Sequence, residues 1–345
     1  MLPANHVIAR PHAGSTVDRR ALLGLAVGVV FAASTVPGFA GAQEKLKIAA
    51  IFSTPIEEPW VNQVHEALLK SQEELGTEYK WAESVPSADY ARVLREFARD
   101  GYKMISGDAF AAEDITRRVA REFPDVAFVM GSGQGPAEPN FAVFDNWIHE
   151  PAYLSGLIAG KLTKSNIIGT VAAMDIPEVA RLTNAFCVGA KEANPAVKCK
   201  VSFIGSFFDP PKTKEAALAQ IAAGVDVIYA ERFGVIEAAQ EKGIPAFSNM
   251  SDQSALAPDT VVTGPVWDMW PTIQAAVKQV QAGVFTAQDY GSFSTMTKGG
   301  ASLAPFHAWE SKLPAEVVKM VKDKEALILS GDFRVPVIES TPVSE

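Results

Sequence analysis

The sequence predicts an α/β protein of two doubly wound lobes, each a parallel sheet with helices on both faces. Three observations predict it. Short apolar runs alternate with longer segments of helical periodicity. The alternation pauses after a run ending at Phe144 and restarts at Ile167. A chain of 345 residues is also too long for one hydrophobic core. With 48% hydrophobic and 21% charged residues, the chain is not disordered. Its 31 basic and 40 acidic side chains leave a net charge of −9, which argues against nucleic acid as a partner because phosphate binding needs a basic surface.

The elements follow in order. Leu46 to Phe52 is an apolar run of buried-strand type. Pro59 opens a helix carrying Trp60, Val64, Ala67, Leu68 and Leu75 on one face, and Gly76 ends it. Tyr79 to Ala82 is a strand, Tyr90 to Ala98 a helix, and Tyr102 to Ser106 a strand that runs into Gly107-Asp108. Ile115 to Phe123 is helical, Asp125 to Met130 a strand, and Phe141 to Phe144 another. The cycle restarts with strands at Ile167–Val171, Val201–Gly205, Val225–Tyr229, Ile244–Phe247 and Val261–Thr263. Helices at Val179–Ala193, Thr213–Ala223, Val235–Lys242 and Trp270–Ala282 separate or follow them. Repeated β-α units of this kind build parallel sheets.

The first 42 residues read as an export signal. Arg19-Arg20 precedes an apolar stretch to Val36, and Ala40-Gly41-Ala42 supplies small residues for cleavage. The twin arginine resembles a Tat signal. The expected mature chain starts at Gln43 and is periplasmic. Its first lobe spans 43–148 and its second 149–264, each completed by parts of the remainder: 265–310 for the first lobe and 265–345 for the second. Export places Cys187 and Cys199 in an oxidising compartment, where a disulfide and two buried thiols are both open.

Catalytic and cofactor signatures are missing. There is no P-loop, and Gly131-Ser132-Gly133-Gln134-Gly135-Pro136 has proline where a dinucleotide fingerprint needs its third glycine. His65, His149 and His307 are not at metal-ligand spacing, and no nucleophile elbow occurs. Glu57-Glu58 reads as a favourable pairing with a helix N-terminus. The chain is therefore expected to bind without catalysing, and with neither cofactor nor metal.

In doubly wound sheets, ligands sit beyond the carboxyl ends of the strands. Those ends carry Trp60 and Asn62, Asp108 and Phe110, and Trp147 in the first half. In the second half they carry Phe207-Phe208-Asp209, Arg232-Phe233, Asn249, Ser251, Asp252 and Trp267-Asp268, of which Phe208, Phe233, Asn249, Asp252, Trp267 and Asp268 are the expected ligand contacts. Aromatic faces with a few aimed polar groups suit a flat heteroaromatic ring.

Several blocks resemble the basic membrane protein (BMP) family, the purine-nucleoside-receptor-like substrate-binding proteins of ABC importers. They are Glu150-Pro151-Ala152-Tyr153-Leu154-Ser155-Gly156, Ala172-Ala173-Met174-Asp175-Ile176-Pro177 and Gly205-Ser206-Phe207-Phe208-Asp209-Pro210-Pro211-Lys212. Two more are the run from Gly234 to Gly243 and Ser251-Asp252-Gln253-Ser254. The resemblance implies a type I periplasmic-binding-protein fold that closes on its ligand and delivers it to a membrane permease.

In place of the family's first-helix motif, an acidic pair followed by Phe-Asn-Gln, stands Glu57-Glu58-Pro59-Trp60-Val61-Asn62, with Trp60 matched to the stacking phenylalanine and Val61 to the asparagine position. Met250 or Asn249 stands where the family places a ribose-binding aspartate, and Trp267-Asp268 where it leads to a lysine. These changes point to a purine base (adenine, hypoxanthine or guanine) ahead of a nucleoside. Asp268 is the expected acceptor for ring N–H groups. The rival readings are a sugar, an amino acid or other small ligand, a ligand-sensing subunit that signals to a receptor, and an exported α/β enzyme.

Overall fold

The computed structural model describes residues 44–110 and 112–345. The expected export signal lies outside them. Among the described residues no helix is long and apolar enough to cross a membrane.

Two five-stranded sheets are built in succession. The chain runs β1 (Lys47–Ile51), α1 (Pro59–Leu75), β2 (Glu78–Ala82), α2 (Ser87–Arg99), β3 (Met104–Asp108), α3 (Glu113–Glu122), β4 (Ala127–Gly131) and β5 (Phe141–Phe144). After α4 (His149–Leu162) come β6 (Ile167–Ala172), α5 (Pro177–Ala193), β7 (Lys198–Phe203), α6 (Pro210–Ala222), β8 (Val227–Ala230), α7 (Val235–Lys242), β9 (Ala246–Phe247) and β10 (Val261–Thr263). Strand order is β2-β1-β3-β4-β5 in the first sheet and β10-β9-β8-β6-β7 in the second. Every pairing in both is parallel. Apolar runs such as Ile48-Ala49-Ala50-Ile51 are buried because helices cover both faces of the sheet.

Local chemistry explains the first helix. Glu58 accepts a hydrogen bond from the Val61 amide at 2.9 Å, Pro59 begins the first turn, and Gly76 ends α1 in a left-handed conformation. The remaining elements are β11 (Pro265–Trp267), α8 (Trp270–Gln281), β12 (Ala301–Leu303) and α9 (Ala315–Ser330). β11 and β12 pair antiparallel, α8 packs on α1, and α9 packs on α4. Asp289 bridges in parallel to Val143, so the late chain also adds to the edge of the first sheet.

α4, β11, β12 and α9 are elements that periodicity does not bring out. α4 is buried from His149 to Gly160 without a polar face, so it lacks the stripe that marks a surface helix. It lies against α5 at very short range. A Cβ added to Gly156 would stand 2.0 Å from the Phe186 carbonyl oxygen, and one on Gly189 would stand 2.1 Å from that of Tyr153. Cys187 on α5 and Cys199 on β7 form a disulfide with Cα atoms 6.2 Å apart.

Candidate functional site

The carboxyl ends of the two sheets face one cavity. From the first sheet come Ser53 and Thr54 after β1, Asp108 and Phe110 from the end of β3, and Ser132 after β4. The start of α1 adds Glu58, Trp60 and Val61. The second sheet contributes Glu178 in the first turn of α5, Phe207 after β7 and Arg232 after β8.

Trp60 is the largest of these rings. It is 8% exposed and packs on Phe144 (ring centroids 5.7 Å) and Trp267 (5.5 Å). Gly131 makes room for it, since a Cβ there would lie 2.3 Å from the indole. The Trp60 Nε1 is buried with no hydrogen-bond partner among the described residues. At the mouth, Phe110 from the first sheet meets the edge of Phe207 from the second at 5.3 Å.

Two polar bridges cross between the sheets. Arg232 Nη1 donates to Glu58 at 2.6 Å, while its Nε and Nη2 donate to both oxygens of Glu231. Ser132 Oγ donates to Glu178 at 2.6 Å, and Asn146 Nδ2 donates to the other oxygen of Glu178. Ser132 takes a left-handed backbone, φ +55°, in the loop after β4, an uncommon state for a non-glycine residue. Ser53 Oγ donates to Asp108.

The electrostatics are dominated by burial. Desolvation raises the Glu58 carboxyl above its ordinary range, opposed by the Arg232 charge. Burial, followed by the neighbouring Asp145 charge, raises Glu178 well above that range. The arrangement therefore offers aromatic faces, hydroxyls and carboxyl groups to one small enclosed ligand. Among the described residues no His, Cys, Asp and Glu group is placed to hold a metal ion.

Of the residues expected from strand ends, Trp60, Asp108 and Phe110 line this cavity. The others lie elsewhere. Asn62 donates to the Ile56 carbonyl, and Trp147 lies under the Arg181 guanidinium at 3.7 Å. Phe208, 37% exposed, packs edge-on with Phe233. Asn249 is buried between the Tyr229 hydroxyl and the Glu231 carbonyl. Asp252 pairs with His307, and Asp268 accepts from the Trp270 amide at the start of α8. Trp267 is fully buried behind Trp60 and donates to Ser294. Ser53, Thr54, Glu58, Val61, Ser132 and Glu178 line the cavity without having been expected there, and the strand-end residues Phe207 and Arg232 line it in place of their neighbours Phe208 and Phe233. Phe207 and Arg232 each sit one residue before an expected aromatic, and that offset was the available signal.

The profile of the Bmp family, described as ABC transporter substrate-binding protein PnrA-like, matches residues 45–293. The chain belongs to this family. Its members bind small molecules for ABC transporters and are substrate-binding proteins, not enzymes. A purine-binding protein of Brucella abortus is 34% identical over 87% of each chain. A putative ABC transporter glucose-binding protein of Haloferax volcanii is 30% identical, over 79% of this chain and 68% of its own. A solved solute-binding protein of an ABC transporter from Aeropyrum pernix superposes with a TM-score of 0.72 at 20% identity, covering 84% of this chain and 94% of that one. That structure shares the two-lobed α/β fold.

Proposed function

We propose that this Bmp-family chain is an exported, periplasmic receptor that captures a purine base between its two lobes and hands it to a membrane permease. The observation that carries this reading is the cavity in which Trp60 stands beside Asp108 and Glu178. A purine base presents a flat π-face and in-plane N–H groups and ring nitrogens. Indole and phenyl faces take the first, and carboxyl and hydroxyl groups take the second. The Brucella relative's name supports the same ligand class.

A base is favoured over a nucleoside because the side chains suited to ribose hydroxyls are engaged elsewhere. Asn249 is held by Tyr229 and the Glu231 carbonyl, Asp252 is held by His307, and Met250 is buried. Capture works by lobe closure. Glu58–Arg232 and Ser132–Glu178 join residues from opposite sheets, so both contacts form only in the closed arrangement. A ligand touching both sheets shifts the open–closed equilibrium toward that state.

The test is calorimetric titration of refolded protein, freed of carried-over ligand, with adenine, adenosine and glucose in parallel. Saturable binding of adenine well ahead of the other two is expected. Preference for adenosine would overturn the base-over-nucleoside reading, and preference for glucose would overturn the purine reading.

A further inference from the structure

We propose that Arg181 and Glu339 are positioning residues for ligand capture, acting on the cavity through Asn146 and Glu178. The inference rests on the interlobe capture proposed above and deepens it. Arg181 lies on α5 three residues beyond Glu178, so the two share one helix face. Its side chain is 1% exposed. Asp145, Asn146 and Trp147 lie where the chain crosses from β5 of the first sheet to α4, and Arg181 touches all three. Its Nη2 donates to the Asp145 carboxylate at 2.7 Å and to the Asn146 carbonyl at 3.3 Å, and the guanidinium covers the Trp147 ring. The other Asp145 oxygen accepts from the Asn146 backbone N–H at 2.7 Å. Both backbone polar groups of Asn146 are thereby fixed, and its side-chain amide donates to Glu178 in the cavity wall.

The outer end of this network is the segment 338–345. Arg181 Nη1 donates to Glu339 at 2.7 Å. Asn184, a further turn along α5, donates to the Ile338 and Ser340 carbonyls, both at 2.9 Å. Thr341 donates to Asp175 in the turn that leads into α5. The segment then reaches the edge of the second sheet, where the Val201 amide donates to Ser344 and the Glu345 amide to the Cys199 carbonyl. Glu339 thus joins a segment anchored on the second lobe to the interlobe crossing through one guanidinium. Lobe closure is absorbed by a few loop or element-terminal residues, and Asp145-Asn146-Trp147 are placed to be such residues. With Arg181 held by Glu339, the crossing settles where Asn146 and Ser132 each donate to one oxygen of Glu178. Without Glu339 the guanidinium is held from the crossing side alone, and the Asn146 amide loses its fixed aim.

The test combines amide hydrogen exchange with calorimetric titration of adenine, on refolded wild type, Glu339→Ala and Glu339→Gln. Glu339 is 40% exposed and is not among the cavity's lining residues, so its loss removes no ligand contact. Glu339→Ala is expected to raise exchange in peptides covering 145–148 and the first turn of α5, with β8 unchanged. It should also weaken adenine binding about three- to tenfold, within the range carried by residues that touch no ligand. Glu339→Gln keeps an acceptor for Arg181 and should recover most of both effects. Asn146→Ala is expected to weaken binding as well, and adding Glu339→Ala to it should cost little more, because the route is already broken. Circular dichroism checks each fold, and Asn146→Ser replaces the alanine variant if that one does not fold. Unchanged exchange at 145–148 in Glu339→Ala, or unchanged adenine affinity, would overturn the proposal while leaving the purine reading intact. Penalties that multiply in the double variant would overturn the route through Asn146. If the wild type binds no adenine, the purine reading falls on its own, and the exchange comparison still decides whether Glu339 holds the crossing.

Discussion

At the residue scale, Trp60 carries two loads. One side of its indole packs on Phe144 and Trp267, and it also lines the cavity. Trp60→Ala is therefore expected to weaken adenine binding at least tenfold, about 1.4 kcal/mol, and to lower stability through the space it leaves. Trp60→Phe keeps an aromatic face and should retain most of the affinity. Calorimetry paired with thermal unfolding separates the two effects, and unchanged affinity in a folded alanine variant would reduce Trp60 to a packing residue.

His149 supplies a pH prediction. Burial first, then the Arg181 charge, push its imidazole down to about 4. The unfolded chain, with a histidine near 6.5, takes up the proton before the folded protein does. The stabilisation is thus present above pH about 6.5 and lost progressively as pH falls toward 4, with a ceiling of about 3 kcal/mol. Urea unfolding at neutral and mildly acidic pH should show this loss in the wild type and a smaller one in His149→Gln. Equal losses in both would place the acid sensitivity elsewhere.

At the element scale, the α4–α5 contact is a helix–helix packing made close by glycines on both helices. Gly→Ala in an unconstrained helix stabilises by about 0.4–1 kcal/mol. At Gly156 the added methyl would run into the Phe186 carbonyl, so the sign reverses. Gly156→Ala is expected to cost about 1–3 kcal/mol, the scale of overpacking. A gain in stability by urea unfolding would mean that the two helices separate freely.

The same helix explains what sequence periodicity can and cannot reveal. Strands such as β1 and β4 are brief apolar runs bounded by turns, so alternation with amphipathic helices exposed the α/β class. α4 is apolar on every side and has no stripe to detect. The candidate site was legible to the level of the strand end and not beyond it. Neighbouring residues in an extended loop point in opposite directions, so Phe207 enters the cavity while Phe208 faces solvent. Glu58 looked like a helix-dipole partner, and it does cap α1, but its second oxygen meets an arginine 174 positions away. Nothing local in a sequence announces such a pair.

At the scale of the whole molecule, the two sheets are tied by rings at the mouth and by charge and hydrogen-bond bridges deeper in. A buried ion pair such as Glu58–Arg232 adds little net stability, because desolvation offsets its attraction. Under the proposed function, its contribution is to make the closed arrangement specific. Arg232→Met removes one partner and leaves the Glu58 and Glu231 carboxyls buried without their cation, so it is expected to cost about 3–5 kcal/mol in overall unfolding and to weaken ligand-induced closure. Small-angle scattering with and without adenine would register that, and a full compaction in the variant would show that the pair is dispensable.

The central claim is that a purine base lies between the sheets, against Trp60 and between Asp108 and Glu178. The most direct measurement is a crystal structure of the refolded protein grown with adenine. The account predicts the base stacked on Trp60, its ring N–H or amino group directed at Asp108 or Glu178, and the Glu58–Arg232 bridge closed. A base bound instead among Asn249, Asp252 and Asp268, with Trp60 untouched, would contradict it.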